Sequence, residues 1–367
     1  MSYSQQWRET NRLVSFINQT DGRPEHLGPV DLTISVGERI SIGLLSVALW
    51  KAGRANISFD GQQAGICTEG PNTNSAIRFI NPKALRKGQF LQDVLVVTGF
   101  QGASLESITA TLGRGGSDTS AAALSTIMGL SCPIFTDVMG IRTADPKAGS
   151  QTRIVGKMTF EEAYGMACCG SKVLHSRSLF LAGKYSIGMS IVSSQNRSKN
   201  RKAHTNVLFS FATLRAVEKP TVTSISYRKG RTLVQLQAGP HHNSCSIMLS
   251  KLTNLRPFYF TAVSQFSSNS RPNLSLACDQ HQTQEAENLV LKEVRKRLPI
   301  KSKQQDNRIS ELSVIGLGLG HQKLVGSILV GSGTKFKNIT SSDMRLTLQL
   351  SKQELPNAIR KLHYHFF

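Results

Sequence analysis

The glycine-rich stretch Thr111-Leu-Gly-Arg-Gly-Gly-Ser-Asp118 lies between an apolar run and an alanine-rich segment of helical character. Its three glycines allow the backbone to approach a polyanion closely, and Arg114 offers a planar fork for a carboxylate or a phosphate. Asp118 lies where the helix begins, and the N-terminus of a helix attracts anions. The stretch therefore predicts a binding site for a small-molecule phosphate or carboxylate.

Helices and strands alternate on both sides of this loop. The run 93–98 is continuously apolar and precedes Gly99, which is typical of a buried parallel strand that delivers a loop at its carboxyl end. The pattern predicts helices over 40–52 and 118–128, strands over 56–59, 93–98, 132–137 and 187–192, and a helix opened by the capping box Thr159-x-x-Glu162. This order indicates an α/β fold with a mostly parallel sheet.

The character of the chain changes after Ser194. A basic, polar segment over 195–204 predicts a linker, and shorter alternating units follow it. Gly316-Leu-Gly-Leu-Gly320 has its third glycine one residue too early for a dinucleotide-binding loop, so we interpret it as a tight turn. The expected elements are strands over 221–227, 232–237, 258–263, 274–277, 311–315, 336–339 and 344–350, and helices over 245–252, 285–298, around 321–329 and after the capping box Ser351-x-x-Glu354. This order indicates two small α+β units.

Composition limits the classes of function. The chain of 367 residues has 44 Lys and Arg against 23 Asp and Glu, a formal net charge of +21. The basic residues cluster only over 197–202 and 292–303, without interleaved aromatic residues, which favours solvated linkers or a general compositional bias over a nucleic-acid interface, the third-ranked function. The longest apolar candidate for a membrane span, 42–50, is about half of the roughly 20 residues required. The N-terminus lacks a secretory pattern, and we expect a cytoplasmic protein.

No metal site is predicted. The six cysteines include no C-x-x-C pair, and reduced, mostly buried thiols are the simpler interpretation. The histidine pairs His241-His242 and His363/His365 have no acidic or cysteine partner at ligand spacing. We therefore interpret these histidines as surface or packing residues.

Five motifs occur in a fixed order along the chain, and together they are far more specific than any one of them. They are Ser35-Val-Gly-Glu-Arg-Ile-Ser-Ile-Gly-Leu-Leu45, Val97-Thr-Gly-Phe-Gln-Gly102, the loop 111–119, Thr136-Asp-Val-Met-Gly-Ile-Arg-Thr-Ala-Asp-Pro146 and Gly170-Ser-Lys-Val-Leu-His175. This set resembles the aspartokinases of the amino-acid kinase family. The tail over 309–367 also resembles the second of that family's paired ACT domains, so the resemblance covers nearly the whole chain.

The resemblance implies an amino-acid kinase fold with a mostly parallel sheet flanked by helices, followed by two α+β, ferredoxin-like ACT domains. The expected boundaries are a catalytic domain over 1–194, a linker over 195–220, and ACT domains over 221–300 and 301–367. It also implies transfer of the ATP γ-phosphoryl group to the side-chain carboxylate of L-aspartate, at the start of lysine, threonine and methionine synthesis. ATP and Mg²⁺ are the expected cofactors, and a homo-oligomer formed through the ACT domains is the expected assembly.

The resemblance also assigns roles to residues. Glu38 would hold the substrate ammonium, Arg114 a substrate carboxylate, and Ser117 a hydrogen bond nearby. Asp118 would organise the cationic groups around the transferred phosphoryl, whereas the same aspartate without its motif would be interpreted as a helix N-cap. The matching nucleotide-contacting residues are Thr136, Asp137, Arg142, Lys147 and Lys172. Mg²⁺ would be held mostly by phosphate oxygens and water, and no protein ligand is named.

Three departures from the family pattern bear on activity. The family's first strand ends in Lys-Phe-Gly-Gly-Thr-Ser, which this sequence lacks, so we expect a central strand and a catalytic cation to be missing. Arg142 stands where the family commonly has a tyrosine, and Lys147 where arginine is usual. The expected effector loop, 239–245, has no acidic residue, which predicts weak or absent feedback inhibition. A catalytically inactive, amino-acid-binding or scaffold homologue is therefore the alternative to an active kinase.

Overall fold

The computed structural model describes residues 12–17, 19, 27–148, 151–194, 204–208, 221–237, 261–267, 270–279, 302–320 and 322–367. The chain forms two compact units. The first comprises residues 1–141, 154–168 and 172–215, and the second comprises residues 142–153, 169–171 and 216–367.

The first unit alternates helices and strands, as the apolar pattern predicted. Its helices are α1 (Leu27–Lys51), α2 (Lys83–Leu91), α3 (Gly116–Met128), α4 (Phe160–Cys168) and α5 (Ser176–Lys184). Its strands are β1 (Asn56–Phe59), β2 (Ile66–Glu69), β3 (Ala76–Ile80), β4 (Val94–Val97), β5 (Gln101–Ala103), β6 (Thr109–Thr111), β7 (Cys132–Thr136), β8 (Lys157–Thr159), β9 (Met189–Ser193) and β10 (His204–Leu208).

In the described part of the first unit, these strands form three sheets. β1 and β4 form a parallel pair, and a second sheet has the order β7-β9-β10-β8, in which β7 and β9 as well as β8 and β10 run parallel. The third sheet, β3-β2-β5-β6, carries the loop that precedes α3. Within the described residues, β4 pairs only with β1 and β7 only with β9, so the two parallel systems are not joined by backbone hydrogen bonds.

The core of the first unit lies beneath α3. Ala123 of α3 belongs to an apolar cluster with Ile66 and Leu85, and Leu95 and Val97 of β4 pack against it. The packing explains why the alanine-rich sequence of α3 suits its place, because small side chains allow a close approach of helix and strands. These contacts hold the C-terminal half of α3, and the glycine-rich loop enters the helix at its other end.

The strands that the structure describes in the second unit form one six-stranded sheet. Its strands are β11 (Thr221–Gln237), β12 (Thr261–Ser267), β13 (Ser270–Asp279), β14 (Ser302–Leu317), β15 (Asn338–Ser342) and β16 (Arg345–Ser351), in the order β12-β13-β11-β14-β16-β15 and antiparallel throughout. The helices α6 (Gln322–Ser332) and α7 (Leu355–Phe366) supply Ile328, Ile359 and Leu362 to its core. The α+β character predicted for this half of the chain is confirmed.

Several predicted elements have different bounds. β11 is one strand where two were expected, because the pairing with β14 continues past an irregularity near Gly230, whose φ is +67°. Residues 204–208, inside the predicted linker, form β10, since their alternating buried residues pair with β8 and β9. The helices predicted over 245–252 and 285–298 lie outside the described residues. The domain boundaries themselves stay predictions.

The two capping boxes differ in outcome. Thr159 and Glu162 exchange hydrogen bonds as predicted: the Thr159 N–H donates to Glu162 Oε2 (2.9 Å) and the Glu162 N–H to Thr159 Oγ1 (3.2 Å), and α4 follows directly. Ser351 and Glu354 also hydrogen-bond to each other, but this pair forms a turn, and α7 begins only at Leu355. The turn predicted around Gly316–Gly320 is present, with Gly318 at φ +70°.

Helix α1 is longer than the helix expected over 40–52, and the correction bears on the membrane prediction. Residues Gly28–Lys51 are long and apolar enough, by length and composition alone, to cross a membrane, so our estimate of half the required length is wrong. The helix also carries two carboxylates with partners inside the first unit. Asp31 is fully buried and accepts hydrogen bonds from Thr73 and Thr111, which makes α1 an integral element of this unit.

Candidate functional site

The glycine-rich loop connects β6 to α3 in a conformation that requires its glycines. Gly113 and Gly115 have φ of +71° and +68°, in the left-handed region that other residues adopt at a cost. A Cβ at Gly113 would lie 2.8 Å from the Thr73 carbonyl oxygen. Gly115 is also the N-cap of α3, so Asp118 lies in the first turn of the helix and is not its cap.

The base of the loop is fixed by a half-buried arginine and a fully buried carboxylate. The Arg177 guanidinium donates to the carbonyl oxygens of Leu112 and Ser75, the second at 2.8 Å. Asp31 accepts hydrogen bonds from the Thr111 hydroxyl and from the Thr73 N–H at 2.9 Å. Because each of these hydrogen bonds includes a charged group, they are strong, and the loop is held before any ligand binds.

The structure brings Glu38 to this loop. The Ser117 hydroxyl donates to Glu38 Oε1 at 3.3 Å, although 79 residues separate the two in sequence. Glu38 is half-buried on α1, whereas Arg114 and Ser117 are exposed. One end of α3 therefore presents a carboxylate, a hydroxyl and a guanidinium, a set that matches the opposite charges of an amino-acid zwitterion.

Asp118 has a perturbed acidity. Burial raises its pKa from 3.8 to about 6, against the opposing effect of a hydrogen bond from the His175 backbone. Burial also lowers the pKa of the His175 imidazole, and the nearby charges of Arg177 and Arg114 lower it further. His175 is therefore neutral at pH 7, and its Nδ1 accepts a hydrogen bond from the Arg177 N–H at 3.3 Å, which caps α5.

His175 is the site residue that sequence reasoning missed. It ends the motif 170–175, so the signal was present, but the residue was given no role. In the structure it touches the loop through Gly115, where any Cβ would overlap the His175 ring. The packing of this ring on a glycine fixes the distance between α5 and the N-terminus of α3.

The nucleotide-contacting residues predicted in the first unit lie at two places. Thr136 ends β7, its hydroxyl donates to Asp137 Oδ1 at 3.1 Å, and its carbonyl accepts from the Ser194 N–H at the end of β9. The two residues therefore lie at the carboxyl edge of a parallel strand pair, where α/β folds bind ligands. Lys172 is exposed, three residues before His175.

The other two predicted nucleotide residues, Arg142 and Lys147, lie in the second unit. The Arg142 guanidinium donates to the carbonyl and the hydroxyl of Thr152, at 2.8 and 3.1 Å. Lys147 is exposed on a single 3₁₀ turn, Pro146–Ala148. Arg142 is thus oriented by its own loop, a contact that its position in the sequence did not indicate.

No group of three or more metal-ligating side chains occurs among the described residues. His363 and His365 both make hydrogen bonds, to the hydroxyls of Thr143 (2.9 Å) and Ser327 (2.7 Å). The expected effector loop 239–245 and the pair His241-His242 lie outside the described residues.

The comparisons with known proteins agree with this fold. The sequence model of the amino acid kinase family matches residues 4–193, just over half of the chain. The chain belongs to the amino acid kinase family.

Within that family, the chain resembles aspartokinases along nearly its whole length. It is 28% identical to an aspartate kinase of Pseudomonas fluorescens over 365 residues, which is 98% of this chain and 87% of the relative. Its fold matches the crystal structure of E. coli aspartokinase III in complex with aspartate and ADP, with a TM-score of 0.74 and 20% identity over 98% of this chain and 81% of that one. The E. coli enzyme in complex with lysine and aspartate matches with a TM-score of 0.67 and 22% identity, at the same coverage.

Proposed function

We propose that this chain is an aspartate kinase, which transfers the γ-phosphoryl group of ATP to the side-chain carboxylate of L-aspartate and yields 4-phospho-L-aspartate. The observation that carries the proposal is the convergence of Glu38, Ser117 and Arg114 at the N-terminus of α3, beside a half-buried Asp118. The names of the relatives, and the aspartate and ADP bound to the E. coli enzyme, support the choice of substrates.

In this proposal Glu38 binds the ammonium group of aspartate, and Arg114 binds a carboxylate through its planar fork. Ser117 is the hydrogen-bonding group between them. The nucleophile is itself a carboxylate and is already ionised at neutral pH, so the reaction needs no general base. The task of the protein is positioning and charge neutralisation, as in other phosphoryl transfers.

Asp118 has the role of orienting cationic groups around the transferred phosphoryl. With a pKa of about 6 it is mostly ionised at pH 7, which this role requires. Thr136, Asp137, Arg142, Lys147 and Lys172 contact the nucleotide. Mg²⁺ bound together with ATP would be held mostly by phosphate oxygens and water and would neutralise part of the phosphate charge; no residue of the chain is assigned as its ligand.

The wider setting is proposed in the same way. The protein acts in the cytoplasm as a homo-oligomer that associates through its ACT domains. Feedback inhibition by lysine or threonine is weak or absent, because the segment 239–245 offers no acidic partner for the ammonium group of an effector. Tight binding of lysine in a calorimetric titration would contradict this last statement.

The test is formation of an acyl phosphate, trapped with hydroxylamine, by the full chain with ATP, Mg²⁺ and L-aspartate. Asp118→Ala should abolish turnover, and Glu38→Gln should raise the KM for aspartate while leaving the KM for ATP unchanged. Glu161→Gln is the matched control, because Glu161 is an exposed carboxylate in the first turn of α4. Equal rates for the unchanged chain and Asp118→Ala, or no product with either, would exclude the proposal.

A further inference from the structure

The loop that carries Arg142 and Lys147 is part of the core of the second unit. Residues 142–153 group with residues 216–367 by their contacts, although the chain on both sides of the loop belongs to the first unit. Ala144 is buried in the apolar cluster of the six-stranded sheet, together with Ile225 of β11 and Ile359 of α7. The loop is therefore shaped by β11 and α7.

Thr143 connects this loop to β11 and to α7 through hydrogen bonds. Its N–H donates to the Arg153 carbonyl at 2.9 Å, which closes the loop, and its carbonyl accepts from the Ile225 N–H at 2.7 Å. Its side-chain oxygen lies 2.9 Å from His363 Nε2 and accepts from the Arg153 N–H at 3.1 Å. Every polar group of this buried residue is used.

The contact between Thr143 and His363 is a buried hydrogen bond whose direction depends on the imidazole tautomer. The Thr143 hydroxyl accepts one hydrogen bond from the Arg153 N–H and keeps both its proton and a second lone pair for the imidazole. Burial and the neighbouring Arg153 both lower the pKa of His363. Both effects favour the neutral imidazole, and its ring is fixed further by contact with Phe367, 5.0 Å between ring centroids.

Asp145, two residues after Thr143, accepts two further hydrogen bonds, one of which comes from the backbone of Lys147. Asp145 Oδ1 accepts from the Lys147 N–H at 2.9 Å, and Asp145 Oδ2 accepts from the Tyr227 hydroxyl of β11, also at 2.9 Å. Burial and the contact with Asp145 raise the pKa of Tyr227 to about 12, so its hydroxyl keeps the proton that it donates. The backbone of Lys147 is thus set by a side chain of the sheet.

We propose that Thr143 and His363 are positioning residues for nucleotide binding: their buried hydrogen bond holds the loop 142–153 in the conformation in which Arg142 and Lys147 contact the nucleotide. The statement rests on the proposed function, since it takes Arg142 and Lys147 as nucleotide-contacting residues. Neither Thr143 nor His363 touches the nucleotide. Through this bond the C-terminal helix α7 contributes to the affinity for ATP.

The test compares two pairs of variants of the full chain. Thr143→Val removes the hydroxyl at nearly constant volume, whereas Thr143→Ser keeps it. His363→Leu removes the hydrogen-bonding ring nitrogen, whereas His363→Gln supplies an amide group that can donate or accept. Thr143→Val and His363→Leu should each raise the KM for ATP roughly tenfold, the effect of about 1.4 kcal/mol, with little change in the KM for aspartate or in kcat. Thr143→Ser and His363→Gln should recover most of the loss, which a purely structural role in the unit would not produce selectively.

Hydrogen exchange of the ligand-free protein gives a readout that does not depend on activity. In Thr143→Val, the peptide over 142–153 should exchange faster, whereas the strand β16 should keep its protection. Unchanged exchange and an unchanged KM for ATP in Thr143→Val would overturn the inference. A parallel rise of both KM values together with a loss of kcat would also overturn it, because it would indicate general destabilisation.

The proposed function fails in a different way. If the unchanged chain neither turns over nor binds MgADP, or if Arg142→Ala and Lys147→Ala leave the KM for ATP unchanged, the assignment of these residues to the nucleotide is wrong. Faster exchange of the loop in Thr143→Val would then still support the contact between Thr143 and His363, while its role in ATP affinity would be rejected.

Discussion

Replacing Gly115 by alanine tests the reasoning about the glycine-rich loop most directly. Gly115 caps α3 with φ +68°, and a Cβ at this position would overlap the Cβ and Cγ atoms of His175. Alanine would therefore meet two separate costs. The left-handed backbone costs about 1–2 kcal/mol, and forcing the His175 ring away adds about 1–3 kcal/mol of overpacking.

The same helix supplies the matched control. Gly129 caps the C-terminus of α3 with φ +65°, and a Cβ there would meet nothing within 4 Å. Gly129→Ala therefore isolates the backbone cost and should lower the free energy of unfolding by about 1–2 kcal/mol. Gly115→Ala should lower it by about 2–5 kcal/mol, because the steric cost is added.

The assay is urea unfolding of the full chain followed by circular dichroism. Both substitutions lie at the ends of one helix, so they act on the same unit and shift the same transition. If Gly115→Ala destabilised the chain no more than Gly129→Ala, the close contact between the loop and His175 would be wrong. The loop would then be free to adopt another conformation, and its role in holding Arg114 and Asp118 would lose its basis.

Asp118, Arg177 and the ion pair of Arg231 with Glu311 are charged groups that are half-buried or buried, and each gives a further prediction. The pKa of Asp118 is raised from 3.8 to about 6, so its ionisation opposes folding and stability is lost as the pH rises from about 4 to about 6. Over that interval Asp118→Asn should gain about 3 kcal/mol of unfolding free energy relative to the unchanged chain. A difference in unfolding free energy that did not depend on pH would contradict the burial of Asp118. Arg177→Leu should lower the free energy of unfolding by about 2–4 kcal/mol, because the carbonyls of Leu112 and Ser75 lose their charged donor. Arg177→Lys should have an intermediate melting temperature. Equal melting temperatures for all three proteins would contradict the role of Arg177 in holding the loop. Arg231 and Glu311 form a buried ion pair at 3.2 Å in the second unit. Arg231→Met should lower the free energy of unfolding by about 3–5 kcal/mol, and adding Glu311→Leu should restore most of that stability. A double-mutant cycle with no coupling energy between the two positions would contradict the ion pair.

Much of the first unit was predictable because its signals are local. Apolar runs and glycines predicted the bounds of β4, α3 and β7 to within a few residues, because these two signals depend on neighbouring residues in the chain. The bounds of α1 were wrong because the helix begins with Leu27-Gly-Pro, ahead of the periodic apolar stretch. Its N-terminal half is stabilised by long-range contacts such as that of Asp31 with Thr111.

The site shows the same division. Arg114, Ser117 and Asp118 are adjacent in sequence, and the motif alone predicted that they act together. The approach of Glu38 across 79 residues came from resemblance to a family and not from any local pattern. No sequence pattern indicated the roles of His175 and Arg177. A helix cap and an arginine that holds a loop are defined by the atoms they contact and not by their spacing in the sequence.

The sequence by itself determined the alternation of helices and strands, the glycine-rich loop and the order of the motifs, because these depend on residue types and short-range spacing. The tertiary structure decided that Asp118 is half-buried with a raised pKa, that His175 packs against Gly115, and that Thr143 is bonded to His363, 220 residues away. The physical reason is that burial and hydrogen bonding depend on which distant segments the packing of the core brings together. A histidine that the sequence offered only as a packing residue thereby became the partner of the proposed nucleotide loop.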